Sequence, residues 1–271
     1  INLSDDELMK HTSLFEDSKE EYKNCKSCKN LAACKNKMTG FCFLPVLKDG
    51  KLNFSYVACK YKEKYLSDCK YQKNVTSMDV PREIREAKIK DIYTDDKQRE
   101  KVIKWILNYI KEYKKGNFGK GLYLHGNFGC GKTYLLAAMF NELAKENVRS
   151  VITYWPEYLR SLKSSYSSSS SYEFKDKYNE VKYAKLLLID DLGAEGVTSW
   201  SRDEILGTIL QYRMQEHLPT FITSNLNLKE LEEHLSVSTT NKSERVKAVR
   251  IIERIKQLTI DAEMIGQNNR K

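Results

Sequence analysis

The chain has 271 residues, 41% of them hydrophobic and 31% charged, and 46 Lys+Arg against 37 Asp+Glu give a formal net charge of +9. That length exceeds the usual span of one domain, and the absence of any apolar run near the length of a membrane span, or of a charged-then-apolar leader, predicts a soluble, cytoplasmic protein. The basic surplus suits a polyanionic partner or a well-solvated surface, and seven cysteines, an odd number clustered toward the N-terminus, fit metal ligation in a reducing compartment better than a disulfide framework. Ile1 is not a methionine, so a preceding segment is expected.

Residues 1–24 are polar and mostly charged, with a short helix expected among them. Cys25-Lys-Ser-Cys28 is a C-x-x-C knuckle, and Cys34, Cys42 and Cys59 follow. An Asp49-Gly50 turn between Val46-Leu47 and the alternating Leu52, Phe54 and Tyr56 predicts a β-hairpin. A hairpin of that size cannot stand alone, so a structural Zn²⁺ would supply the missing stability. The favoured ligands are Cys25, Cys28, Cys42 and Cys59, with Cys34 as competitor and a metal-free cluster of buried cysteines as the plain alternative. Residues 60–74 interleave lysine and tyrosine, which reads as a solvated linker or a nucleic-acid contact, and Cys69 there carries no inference. The irregular stretch 75–96 is expected to be a linker between a zinc domain over 1–74 and a second domain over 97–271. A helix over Lys97–Lys115 opens that second domain, with Val102, Ile103, Ile106, Leu107 and Ile110 on one side.

Gly126-Asn127-Phe128-Gly129-Cys130-Gly131-Lys132-Thr133 fits the phosphate-loop pattern G-x-x-x-x-G-K-[ST] at every fixed position. An apolar strand, Gly121–His125, precedes it, and a helix carrying Leu135, Leu136, Met139, Phe140 and Leu143 follows. This order aims backbone N–H groups and a helix N-terminus at one anion, which predicts binding of ATP and ADP. Lys132 would reach the β- and γ-phosphates, and the Thr133 hydroxyl would join Mg²⁺.

Ser150–Tyr154 reads as another strand, Pro156 as the first turn of a helix through Leu159 and Leu162, and Ser164–Ser171 as a mobile surface loop. A helical segment with Phe174, Tyr178 and Val181 leads to Lys185-Leu-Leu-Leu-Ile-Asp-Asp191, a buried parallel strand that delivers two carboxylates to its C-terminal edge. Asp190 would orient Mg²⁺, and Asp191 would act as base or position water for attack on the γ-phosphate. A further strand, Thr220–Ser224, ends at Asn225, which could hold the attacking water or simply form a turn. On the last helix, Glu244–Lys256, Arg250 and Arg254 share a face as candidate phosphate ligands. Parallel strands alternating with helices place the fold in the α/β class.

With both motifs placed, the chain resembles the AAA+ helicase loaders of bacterial replication, most closely the DnaI type with its N-terminal zinc domain. The resemblance rests on Gly126–Thr133, Leu187–Glu195, Thr198–Glu204, Thr223-Ser-Asn225 and Lys247–Ile255. It implies an AAA+ ATPase core with a parallel sheet, lidless after Arg254, that self-associates, uses ATP as a switch, binds the hexameric DnaB-type helicase through its zinc domain and helps place it on single-stranded DNA. Relatives of this type use a histidine as one zinc ligand where Gly40-Phe-Cys42 puts cysteine, which favours Cys42 over Cys34. Asp191 stands where many AAA+ enzymes have glutamate, and a shorter acid suits slow hydrolysis. The helical insertion over 156–181 matches the one that lines the DNA path in initiators and loaders, which nominates Arg160 and Lys163 as DNA contacts. The same placement would carry Arg254 to a neighbouring subunit's nucleotide and leave Arg250 for its own, with the two exchangeable. The close alternative is a transposition helper ATPase of the IstB type, which lacks the cysteine-rich hairpin.

Overall fold

The computed structural model describes residues 9–48, 51–68, 70–92, 97–167, 171–236 and 242–268, and the chain divides into two compact units, Ile1–Lys70 and Tyr71–Lys271.

In the first unit, helix α1 (Thr12–Ser27) packs against an antiparallel pair, β1 (Phe41–Lys48) and β2 (Lys51–Ala58), in a register that runs from Phe41 opposite Ala58 to Lys48 opposite Lys51. The expected turn residues Asp49 and Gly50 lie outside the described residues. Side chains from both elements build a small aromatic core: Phe54 stacks on Phe43 with ring centres 5.5 Å apart and meets the edge of Phe15 at 5.0 Å. The buried Glu21 ties helix to hairpin, because its carboxylate accepts the Lys37 N–H at 3.3 Å and the Phe43 N–H at 2.7 Å. Helix α2 (Lys60–Asp68) closes the unit, so the basic stretch read as linker or nucleic-acid contact begins as a helix.

In the second unit, six parallel strands run in the order β3-β5-β6-β7-β4-β8: β3 (Val75–Met78), β5 (Ser150–Tyr154), β6 (Leu186–Asp190), β7 (Thr220–Ser224), β4 (Gly121–His125) and β8 (Thr259–Glu263). The four central strands are buried almost throughout because both faces of the sheet are covered, and Leu186–Ile189 is wholly apolar. Alternate residues serve alternate cores. Leu122, Leu124, Leu186, Leu188 and Phe221 meet α4 (Lys97–Lys114) and α5 (Lys132–Ala144) on one face. Tyr123, Leu187, Ile189 and Ile222 meet α6 (Trp155–Ser167), α7 (Ser171–Tyr183), α8 (Gly207–Gln215) and α10 (Lys242–Leu258) on the other. Among the described residues no helix is long and apolar enough to cross a membrane.

Two expectations are corrected. Of the stretch 75–96 expected to be a linker, residues 75–92 belong to the second unit: β3 pairs with β5, the short helix α3 (Arg82–Arg85) follows, and Asn141 on α5 donates to the carbonyls of Arg85 at 3.1 Å and Ala87 at 2.8 Å, while 93–96 lie outside the described residues. A four-residue edge strand carries too little periodicity to stand out in a sequence. The serine run is not a loop throughout, since α6 extends to Ser167 and α7 starts at Ser171; Ser165 is buried and accepts the Lys177 ammonium at 3.2 Å, while residues 168–170 lie outside the described residues. After the last helix, α10 runs straight into β8, which completes the sheet beside β4. A further helix, α9 (Leu228–Leu235), is opened by a capping box between Asn227 and Glu230.

Candidate nucleotide site

The phosphate loop runs from the C-terminal end of β4 to the first turn of α5. Gly131 begins that helix at φ 91°, and Gly126 stands at φ 135°, both in the region that favours glycine. Space forbids a side chain at Gly126 as well: a Cβ there would lie 2.1 Å from the Met264 carbonyl oxygen. The segment after β8 thus lies along the loop, with Met264 N–H donating to the His125 carbonyl at 2.7 Å and Asn268 against Gly129.

Lys132 is buried, and its ammonium points back into the loop, donating to the carbonyls of Gly126 at 2.8 Å and Asn127 at 2.7 Å and to Asn225 Oδ1 at 2.9 Å. Thr133 Oγ1 donates to Asp190 Oδ1 at 2.6 Å. Thr223 Oγ1 donates to the same oxygen at 2.6 Å and accepts the Asp191 N–H at 2.9 Å. Asn225 Nδ2 donates to Asp191 Oδ1 at 2.8 Å, which closes a ring of polar groups across the ends of β4, β6 and β7. Burial pushes the Asp190 carboxyl above its ordinary value, while the two threonine hydroxyls pull it down. Asp191 follows β6 at φ 59°, a left-handed backbone that turns the chain out of the strand. A buried carboxylate beside a threonine hydroxyl is a hard oxygen donor set, and an ammonium held by carbonyls is a cation ready for phosphate, so these residues fit Mg²⁺ and a nucleotide. Thr223 belongs to the Thr223-Ser-Asn225 strand end that carries the resemblance, but its role beside Asp190 has no local signal, because Thr220 and Ser224 in the same buried strand are polar as well.

The remaining residues nominated from sequence fall into separate places. Arg250 is exposed. Arg254 donates to the Gly207 carbonyl at 2.9 Å, and burial together with the nearby Arg250 lowers its pKa. Gly207 follows a π-helical turn over Trp200–Leu206, which is locked to α10 by Arg202, fully buried and paired with Asp203 at 2.7 Å and with Glu244 at 2.7 Å. Arg160 and Lys163 line a cleft of about 230 Å³ with Pro156, Leu159, Glu195 and Trp200, and Arg160 pairs with Glu157 at 2.5 Å.

In the first unit Cys42 lies near Cys25 and Cys59, and among the described residues no group of three or more His, Cys, Asp or Glu side chains is drawn together in metal-holding geometry. Burial pushes the Cys42 thiol up to about 12, with the neighbouring Cys25 adding to the rise. Cys28 Sγ donates to the Asn30 carbonyl at 3.1 Å, and Cys34 Sγ accepts the Gly40 N–H at 3.3 Å.

Comparison with known proteins agrees with this geometry. The model of the AFG1-like ATPase family matches residues 56–258. The replicative helicase loader DnaI of Bacillus subtilis is 38% identical over 93% of this chain and 80% of its own length. The loader DnaC of Escherichia coli K12 is 26% identical over 45% of this chain and 49% of its own. A DnaI crystal structure superposes with a TM-score of 0.63 at 45% identity, covering 74% of this chain and all of that one, and a putative primosome component from Streptococcus pyogenes does so at 0.62 and 30%, covering 74% and 98%. An α/β core with a parallel sheet, a complete phosphate loop facing an acidic strand end, and this extent of identity lead to one conclusion: the chain belongs to the DnaI/DnaC-type helicase loader family of AAA+ ATPases.

Proposed function

We propose that this protein is an ATP-switched loader that binds a DnaB-type hexameric helicase and delivers it onto single-stranded DNA. The observation that carries the nucleotide switch is the chain Lys132–Asn225–Asp191, which joins the loop cation to the candidate catalytic acid through one amide. In this reading Lys132 and Thr133 bind the phosphates and Mg²⁺, Asp190 orients the metal, Asp191 activates water, and Asn225 reports whether the γ-phosphate is present. Arg254 or Arg250 completes the site of a neighbouring subunit.

The first unit is the proposed helicase-binding domain, with Zn²⁺ on Cys25, Cys28, Cys42 and Cys59. What supports the tetrad is placement: Cys25 and Cys28 end α1, Cys42 opens β1, and Cys59 follows β2 with its N–H on the Gly40 carbonyl at 2.9 Å, so all four sit at the open end of the hairpin. The full-length chain should hold one equivalent of Zn²⁺ and capture the helicase, and Cys42→Ser should lose both while Cys34→Ser keeps both. Metal analysis giving the opposite pair of outcomes would move the ligand to Cys34.

Single-stranded DNA is the proposed ligand of the α6 cleft, where Arg160 and Lys163 offer cations beside Trp200. Neutralising both should weaken ATP-dependent binding and flatten its dependence on salt by up to about two counterions. Unchanged affinity at every salt concentration would remove the cleft from the DNA path.

A further inference from the structure

Arg99 lies in the first turn of α4 and is only 6% exposed, yet its buried Nε has no hydrogen-bond partner and no carboxylate pairs with it among the described residues. Each of these features costs stability. A buried guanidinium without a counter-ion pays for lost hydration, and a cation in the first turn opposes the helix dipole. The cost has an evident purpose in where the group sits: a Cβ placed on Gly131 would be 3.5 Å from Arg99 Nη2 and 3.9 Å from Nη1, so the guanidinium lies against the last glycine of the phosphate loop.

We propose that Arg99 is a nucleotide ligand, a second cation that binds the diphosphate portion common to ADP and ATP from the Gly131 side of the loop. The inference rests on the reading of the loop as a nucleotide site. The groups that would meet Mg²⁺ and the γ-phosphate are Thr133, Asp190, Asp191 and Asn225, and they are bonded to one another and to Lys132 and Thr223, not to Arg99. Arg99 therefore does not distinguish ADP from ATP. Lys132 fills its donors with loop and Asn225 oxygens, whereas Arg99 turns its Nη atoms toward Gly131 of the same loop. A guanidinium binds phosphate oxygens in pairs, which the ammonium does not.

The test is to measure ADP, ATP and inorganic tripolyphosphate binding to the full chain and to Arg99→Met and Arg99→Lys, with thermal unfolding of each alone and with ligand. Arg99→Met should lower affinity for all three ligands by a similar factor of about 10–100, and Arg99→Lys by less. Without ligand, Arg99→Met should be at least as stable as the parent, because an apolar chain replaces a buried charge that has no carboxylate partner among the described residues. Unchanged ADP and ATP affinity in folded Arg99→Met, a loss confined to ATP, or intact tripolyphosphate binding beside weakened ATP binding would each overturn the assignment. A parent chain that binds no nucleotide would overturn it together with the ATPase reading, whereas tight binding by the parent and by Arg99→Met overturns the role of Arg99 alone.

Discussion

Lys132→Ala should bind ATP and ADP at least about 100-fold more weakly than the parent, because a charge-assisted contact to the phosphates disappears from a loop otherwise built of neutral donors. The ammonium is already held in place by the Gly126 and Asn127 carbonyls and by Asn225, so the parent spends little on ordering it when the nucleotide arrives. The same substitution frees Asn225 from the loop while leaving its bond to Asp191. Asp191→Asn makes the complementary separation: binding stays near the parent value and hydrolysis is lost, since the hydroxyls of Thr133 and Thr223 that hold the candidate metal site bond the Asp190 carboxylate. Calorimetric titration with both nucleotides, on protein shown to be folded by its unfolding midpoint, checks the pair. Equal ATP affinity in Lys132→Ala and parent would sink the site.

The second large effect is expected at Arg254. An arginine that reaches a neighbour's γ-phosphate stabilises charge in phosphoryl transfer, and its loss should remove about 10³–10⁵ from turnover. In the single chain Arg254 is bonded to the Gly207 carbonyl, beside the π-helical turn that Arg202 fastens to α10. Its guanidinium is thus oriented by its own chain, and the remaining donors of the planar fork stay available to a second partner. Arg250, one turn earlier and exposed, is the alternative finger. Mixing decides between action on the chain's own nucleotide and action in trans. Lys132→Ala keeps its arginine and Arg254→Ala keeps its loop; neither should hydrolyse ATP alone, and together they should recover activity. A mixed assembly that contains both chains and stays inactive would count against action in trans, and normal turnover in Arg254→Ala alone would transfer the role to Arg250.

The site was more legible than the frame around it, for physical reasons. The phosphate loop needs glycines at fixed spacing and a strand and helix on either side, so Gly126 to Thr133 announces itself, and the structure places the strand over Gly121–His125 and the helix from Lys132 as expected. The buried central strands were equally plain, because full burial on two faces demands apolar runs such as Leu186–Ile189. The edges were not. β3 and β8 each cover one margin of the sheet, mix polar with apolar residues, and are defined by pairing with residues far away in the chain. The contacts that matter most to the site are long-range as well: Thr223 meets Asp190, Met264 meets His125, and Arg99 meets Gly131 only once the sheet and helices are assembled. The serine run reads as a loop by composition, whereas its ends continue two helices and Ser165 is buried against Lys177.

The measurement that tests the loader account most directly is transfer of a hexameric DnaB-type helicase onto a closed circle of single-stranded DNA, followed by its unwinding of an annealed strand. The account predicts that the parent chain raises transfer in the presence of ATP, that Lys132→Ala does not, and that Asp191→Asn binds the helicase but fails to complete repeated rounds. Transfer at the same rate with and without the protein, using a helicase shown to bind it, would contradict the account.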